Sequence, residues 1–335
     1  MNEIQAAKSV VSSFYEAMAG ARPEEASDII AAFTAPGFLW RGMHPFYEQH
    51  GARAVADVFW RPLLASWASL QRRQDIFMAG HSETDGTLWV ASMGHFMGLR
   101  DASWLGIPAT GKLASLRYAE FSQVIDGKIS QVAKFCDIVS VMLQAGIHPL
   151  PMSTGVELTV PGPRSHDGLQ FGVCDPAEAR KTLELVNRMK DDLSSANTAP
   201  PDDWIEVLGR TWHHDMLWFG PSGIGSTFTL ERYRQQHQAP FRDNLSNIRF
   251  NGHVCRIAEG PYAAWFGWPN LTVKSRGGFL GLPRSEGDLH MRIVDIYRRE
   301  GDKLAENWIF IDLLYWMQQQ GVDVLERVRK IAGSD

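Results

Sequence analysis

Leu116-Arg117-Tyr118-Ala119-Glu120, then Asp126-Gly127-Lys128-Ile129, Asp137 and Gln144-Ala145-Gly146, returns later in the chain as Met291-Arg292-Ile293-Val294-Asp295, Gly301-Asp302-Lys303-Leu304, Asp312 and Gln319-Gln320-Gly321. No gap is needed. Arg117/Arg292, Lys128/Lys303, Asp137/Asp312, Met142/Met317 and Gly146/Gly321 all lie 175 positions apart (292 − 117), as do Gly106/Gly281 and Pro108/Pro283. Upstream, Phe38-Leu39-Trp40-Arg41-Gly42 matches Met216-Leu217-Trp218-Phe219-Gly220 at an offset of 178 (218 − 40), the difference of a loop length. A period this long marks a duplicated domain; a solenoid repeats every few tens of residues.

The 335 residues are too many for one ordinary core and enough for two. Between the copies, Pro149, Pro151, Pro161 and Pro163 and the polar run Arg164-Ser165-His166-Asp167 read as a linker. The expected division is 1–150, a linker over 151–173, and 174–335, with Asp175-Pro176 capping and opening the first helix of the second copy. A net charge of −5 and the absence of long basic runs give no footprint for nucleic acid. Three scattered cysteines form no CxxC motif or disulfide framework. With no membrane-length apolar run and no signal-like amino terminus, a cytoplasmic protein is expected.

Within each copy the apolar spacing is helical first (Val10, Val11, Phe14, Met18), with another helix over roughly 52–70. It then turns to strand period at Asp75–Ala79 and Leu88–Met93, and ends in a hairpin around Asp126-Gly127, whose tight turn needs positive φ at both central positions. Helices followed by several strands imply an α+β fold, with helices covering a curved antiparallel sheet.

The order Gly106-Ile107-Pro108-Ala109-Thr110-Gly111-Lys112, Asp126-Gly127-Lys128-Ile129, Asp137, Gln144-Ala145-Gly146 resembles the signature of SnoaL-like polyketide cyclases. The second copy keeps a degraded form, with Gly281-Leu282-Pro283-Arg284-Ser285 in the first run. The resemblance implies a nuclear transport factor 2-like, cystatin-like cone in each copy, and a tandem that forms a pseudo-dimer within one chain and leaves room for a further homodimer. It implies no cofactor and no metal, an apolar carbonyl-bearing small molecule as substrate, and aldol-type ring closure by an aspartate acid/base. The matching positions are Asp137 and Asp312.

One carboxyl in a dry pocket can remove a proton α to a carbonyl and later return it, because desolvation raises its pKa. If the Asp126-Gly127 hairpin has no bulge, Asp137 pairs with Leu116, and Tyr118, Glu120 and Phe135 share its face; in the second copy Asp295 and Trp308 share the face of Asp312. Arg117 and Arg292 then point to the other face, against an epoxide-hydrolase-like reading that needs them in the pocket. Trp40 and Trp218 are candidate pocket walls, and His44 and His95 candidate partners near the mouth. Each has an ordinary structural alternative: an N-cap for Asp137 and Asp312, a salt-bridged strand residue for Glu120 and Asp295, core for the tryptophans. A non-catalytic binding or assembly module is the competing function, since the fold is used widely. The adjacent His213 and His214 point to opposite faces of a strand and cannot easily share a metal ion.

Overall fold

In the computed structural model, which describes residues 2–196 and 203–333, the repeat becomes two sheets with helices on one face of each. In the first copy α1 (Glu3–Met18) and α2 (Ala26–Phe33) precede β1 (Thr34–Gly42) and β2 (Tyr47–His50). Helix α3 (52–66) leads into β3 (Trp67–His81), β4 (Leu88–Arg100), β5 (Leu113–Ile125) and β6 (Lys128–Cys136), and α4 (Ile138–Gln144) follows. The second copy runs α5 (Pro176–Ala196), α6 (Trp204–Gly209), β7 (Trp212–Phe219), β8 (Thr227–Phe228), α7 (230–244), β9 (Leu245–Phe250), β10 (Cys255–Glu259), β11 (Tyr262–Ser275), β12 (Leu289–Glu300) and β13 (Lys303–Ile311), then α8 (Leu313–Gln318) and α9 (Val324–Ala332).

Strand order is β2-β1-β6-β5-β4-β3 in one sheet and β10-β11-β12-β13-β7-β8 in the other, with β9 also on β11, so two short strands stand where the first copy has one long one. The sheets are antiparallel except for β1 on β6 and β7 on β13, which are parallel. These pairs join strands far apart in sequence, so no hairpin forces them antiparallel. Helix α1 buries Val11, Phe14 and Met18, the residues at helical spacing, and α3 ends at Ser66 because Trp67 already belongs to β3. No helix among the described residues is long and apolar enough to cross a membrane.

The hairpin turn is as expected, with Asp126 and Gly127 at φ 49° and 71°. The register is not. Ile125 pairs with Lys128 and Val124 with Ile129, but a bulge before Gln123 makes Gln123 pair with Gln131 and Glu120 with Lys134. One extra residue moves every side chain beyond it to the other face. Asp137 therefore lies opposite Arg117, and Tyr118 and Glu120 leave its face. The second copy has its own bulge between Arg298 and Arg299, which sets Asp295 opposite Ile309 and Asp312 opposite Arg292.

The face of Asp137 and Asp312 is where the copies meet. Phe121 and Trp89 pack on Phe266 at 5.0 and 5.6 Å, and Phe135 on Trp268 at 5.6 Å. Arg117 is buried there, donating to the carbonyls of Phe219, Gly220 and Ile309 with its guanidinium 4.1 Å from the Phe310 ring centre. The opposite, concave face of each sheet is covered by its helices and encloses the cone. Two glycines shape these interiors alike: a Cβ on Gly42 would meet the Trp40 ring at 2.0 Å, and one on Gly220 the Trp218 ring at 2.2 Å. Gly220→Ala is expected to lower the unfolding free energy by about 1–3 kcal/mol in a urea titration, because the buried indole must leave its place.

Candidate functional site

The duplicated pattern carries one carboxyl into the concave face of each sheet, Glu120 on β5 and Asp295 on β12, at positions 175 apart. Their surroundings differ, and the difference decides what each can do.

In the first copy Glu120 faces Lys134 across the β5–β6 pair and touches its ammonium, and Arg72 stands 3.8 Å away. All three side chains are almost completely shielded from water. The Arg72 guanidinium lies over Tyr15 at 3.6 Å and within 4.7 Å of the Phe96 and Tyr118 ring centres; Lys134 lies 4.5 Å from Trp60. Burial alone would lift the Glu120 pKa, but the Lys134 and Arg72 cations outweigh it and hold the carboxyl below its usual range, so it stays ionised. Phe14, Ile30, Trp40, Trp60 and Val132 close around it and leave a void of about 10 Å³, enough for one water molecule. This cone is filled by its own side chains.

In the second copy the position of Lys134 is taken by Ile309, directly opposite Asp295. Arg72 occupies the rung that runs through Phe96 to Leu116, and the matching rung of the second sheet is Phe250, Leu271 and Met291. Both cations are gone. Asp295 accepts hydrogen bonds from Trp265 Nε1 at 3.1 Å and Asn307 Nδ2 at 3.3 Å, and from the Tyr297 hydroxyl. Burial pushes its carboxyl up to about 6 against the pull of these donors, and no cation offsets it. Although enclosed by protein, Asp295 and Tyr233 keep some solvent-accessible surface.

Aromatic rings form the surrounding wall. Tyr297 packs on Trp265 at 4.8 Å and Trp212 at 5.8 Å, and Tyr233 on Trp218 at 5.6 Å and Trp204 at 5.9 Å. His237 is stacked 4.0 Å from Trp218, and His253 4.8 Å from Trp265. Burial pushes both imidazoles down to about 3, so they are neutral at physiological pH. The Asp295 charge also lifts the Tyr233 phenol, after burial, above its usual value. The result is a carboxyl poised near neutrality among phenols and indoles, able to give or take a proton but without a built-in cation.

Asp137 and Asp312 sit elsewhere, at the seam between the copies. Asp137 caps α4, accepting from Ser140 N at 3.1 Å, and its other oxygen accepts from Ser222 N of the second copy at 2.9 Å. Asp312 caps α8, accepting from Tyr315 N at 3.2 Å, and takes His44 N of the first copy at 2.9 Å. The two contacts are reciprocal. Burial raises both carboxyls, Asp312 to about 6. Asp312→Ala would leave two buried N–H groups without acceptors, and we expect it to destabilise the chain by about 2–4 kcal/mol in urea unfolding; Asp312→Asn, which keeps one acceptor, should cost about half as much.

Of the other candidates, Trp40 and Trp218 line their cones, as does Tyr118, whose hydroxyl is 3.0 Å from Ser92 Oγ. Phe135 is an interface residue; Trp308 is stacked on Phe219 and donates to Pro161 O in the linker. His44 bonds Tyr47 through Nδ1, and His95 bonds Asp75 at 3.1 Å; neither meets Glu120 or Asp295. Arg117 and Arg292 share the seam with Asp137 and Asp312, contrary to the unbulged register. The sequence reading missed Arg72, Lys134, Tyr233, Tyr297, Trp265 and Asn307. Lys134 and Ile309 were visible as a mismatch within the repeat once the bulge placed them opposite the carboxyls. Among the described residues no group of three or more His, Cys, Asp or Glu could hold a metal ion.

No protein-family profile and no curated protein matches the chain. Solved structures do, over one copy's length. A candidate SnoaL-like polyketide cyclase from Jannaschia sp. CCS1 is 19% identical over 42% of this chain and 93% of its own, with a TM-score of 0.36. IdmH, a candidate polyketide cyclase from Streptomyces antibioticus, is 17% identical over 42% and 99%, with a TM-score of 0.35. A nuclear transport factor 2-like protein from Burkholderia thailandensis E264 is 23% identical over 42% and 98%, at 0.32. Each of these three spans less than half of this chain.

Proposed function

We propose that the second copy holds the working site, and that it moves a proton on an apolar carbonyl-bearing small molecule, the chemistry of a cofactor-independent cyclase or isomerase. The supporting observation is the contrast between equivalent carboxyls: Glu120 is held ionised by two cations, whereas Asp295 has none and is lifted to about 6. In this reading Asp295 takes a proton from carbon α to the carbonyl. Tyr233 or Tyr297 donates a hydrogen bond to the developing enolate oxygen, and the aromatic wall limits the access of water. The first copy, its cone filled, serves as the scaffold, and Asp137 and Asp312 act as clamps at the seam. This moves the acid/base role from Asp137 and Asp312 to Asp295.

The test is hydrogen–deuterium exchange at the α-carbon of aromatic ketones such as 2-tetralone, followed by NMR with the full chain. Exchange that is lost in Asp295→Asn and kept in Asp137→Asn supports the reading. Exchange indifferent to Asp295 removes it.

A further inference from the structure

The two cones are one design with and without an internal cation. In the first, a buried carboxylate is matched by a lysine ammonium and an arginine guanidinium, each resting on aromatic faces: Tyr15, Phe96 and Tyr118 under Arg72, Trp60, Phe59 and Phe96 under Lys134. In the second, the carboxyl is kept, Ile309 and the exposed Phe250 stand at the positions of the two cations, and the rings come from elsewhere: Leu271 and Ile293 hold the positions of Phe96 and Tyr118, while Trp265, Tyr297 and Tyr233 surround Asp295. A carboxylate without a counter-charge in such surroundings attracts a positive ligand twice over, through its charge and through the ring faces.

We propose that the cone of the second copy receives an organic ammonium or iminium group of an otherwise apolar molecule, held against Asp295 and the rings of Trp265, Tyr297 and Tyr233, and supplying the positive charge that the first copy provides with its own Lys134 and Arg72. The proposal rests on the second copy being the working site and names the charge of its ligand. It also fits proton transfer. With an iminium, the Asp295 carboxylate takes a proton from the carbon next to the C=N carbon: the C–H pair becomes a C=C π pair, the C=N π pair moves onto nitrogen as the lone pair of a neutral enamine, and where that enamine is conjugated the carboxyl returns the proton to its far carbon as the nitrogen lone pair re-forms C=N. Anionic ligands are disfavoured, since Asp295 repels them. Arg256, 5.1 Å from the Trp265 ring centre, is bonded to Asn187 and lies 3.6 Å from Glu83.

Calorimetry on the full chain tests this with three probes of similar shape: benzyltrimethylammonium, its uncharged carbon analogue neopentylbenzene, and phenylacetate. We expect the ammonium to bind at least about tenfold more tightly than the carbon analogue, and phenylacetate not to bind. Asp295→Asn should remove about tenfold of the ammonium affinity, and Ile309→Lys, which restores the first copy's internal cation, should abolish it. Since the quaternary ion has no proton to lose, its affinity should rise with pH through the Asp295 titration and level off above it. Equal binding of ammonium and carbon analogue, or ammonium affinity unchanged in both variants, overturns the proposal. Ketone exchange that still depends on Asp295 in that case shows that the ligand class alone was wrong; loss of both dependences takes the site with it.

Discussion

Asp295→Asn is expected to cut proton transfer by roughly 10²–10⁴-fold while making the protein more stable at neutral pH. The two effects come from one cause. The carboxyl is lifted to about 6 by burial, above the roughly 3.9 of an unfolded aspartate. A group with a raised folded pKa contributes its stability in full below the unfolded value and loses it as pH climbs through the folded one. Between about pH 4 and pH 6, wild type should therefore lose stability relative to Asp295→Asn. The gap should flatten above about pH 7 at roughly 2 kcal/mol, allowing for the solvent that reaches the site. Urea titrations of both proteins at pH 4, 5, 6 and 7.5 measure it. A variant that is inactive and less stable at every pH would mark Asp295 as structural.

Glu120→Ala should have the opposite balance, a large loss of stability. The substitution leaves the Lys134 ammonium and the Arg72 guanidinium buried near each other with no carboxylate, a situation that costs about 3–5 kcal/mol. The double variant Glu120→Leu/Lys134→Ile copies the apolar residue that the second sheet already carries at 309, and should recover most of the loss, because a carboxylate and one cation leave together. A single-variant cost below about 1 kcal/mol would show that the triad does not lock the first cone.

The duplication, the helix-then-strand order and the Asp126-Gly127 turn were legible because each rests on local pattern: identical residues at one offset, 3.6- and 2-residue periods, and a dipeptide that tolerates positive φ. The site was legible only in part. Glu120, Asp295, Trp40, Trp218 and Tyr118 could be named as candidates, but their companions depended on register, and a bulge before Gln123 leaves no mark that a sequence shows. That one residue exchanged the faces: it took Glu120 and Tyr118 away from Asp137 and brought Arg117 beside it. The role of Arg72 was hidden for a further reason. It lies on β3, far from the hairpin in sequence, and only the packing of β3, β4 and β5 brings it to Glu120.

The most direct measurement is a ¹³C NMR titration of the side-chain carboxyl carbons of Glu120 and Asp295, assigned by comparison with Glu120→Gln and Asp295→Asn. Asp295 should titrate near 6, and Glu120 should remain ionised to below the usual glutamate range. An Asp295 carboxyl that titrates near 4, or a Glu120 carboxyl that titrates alongside it, would contradict the claim that the duplicated fold holds one locked carboxylate and one poised for proton transfer.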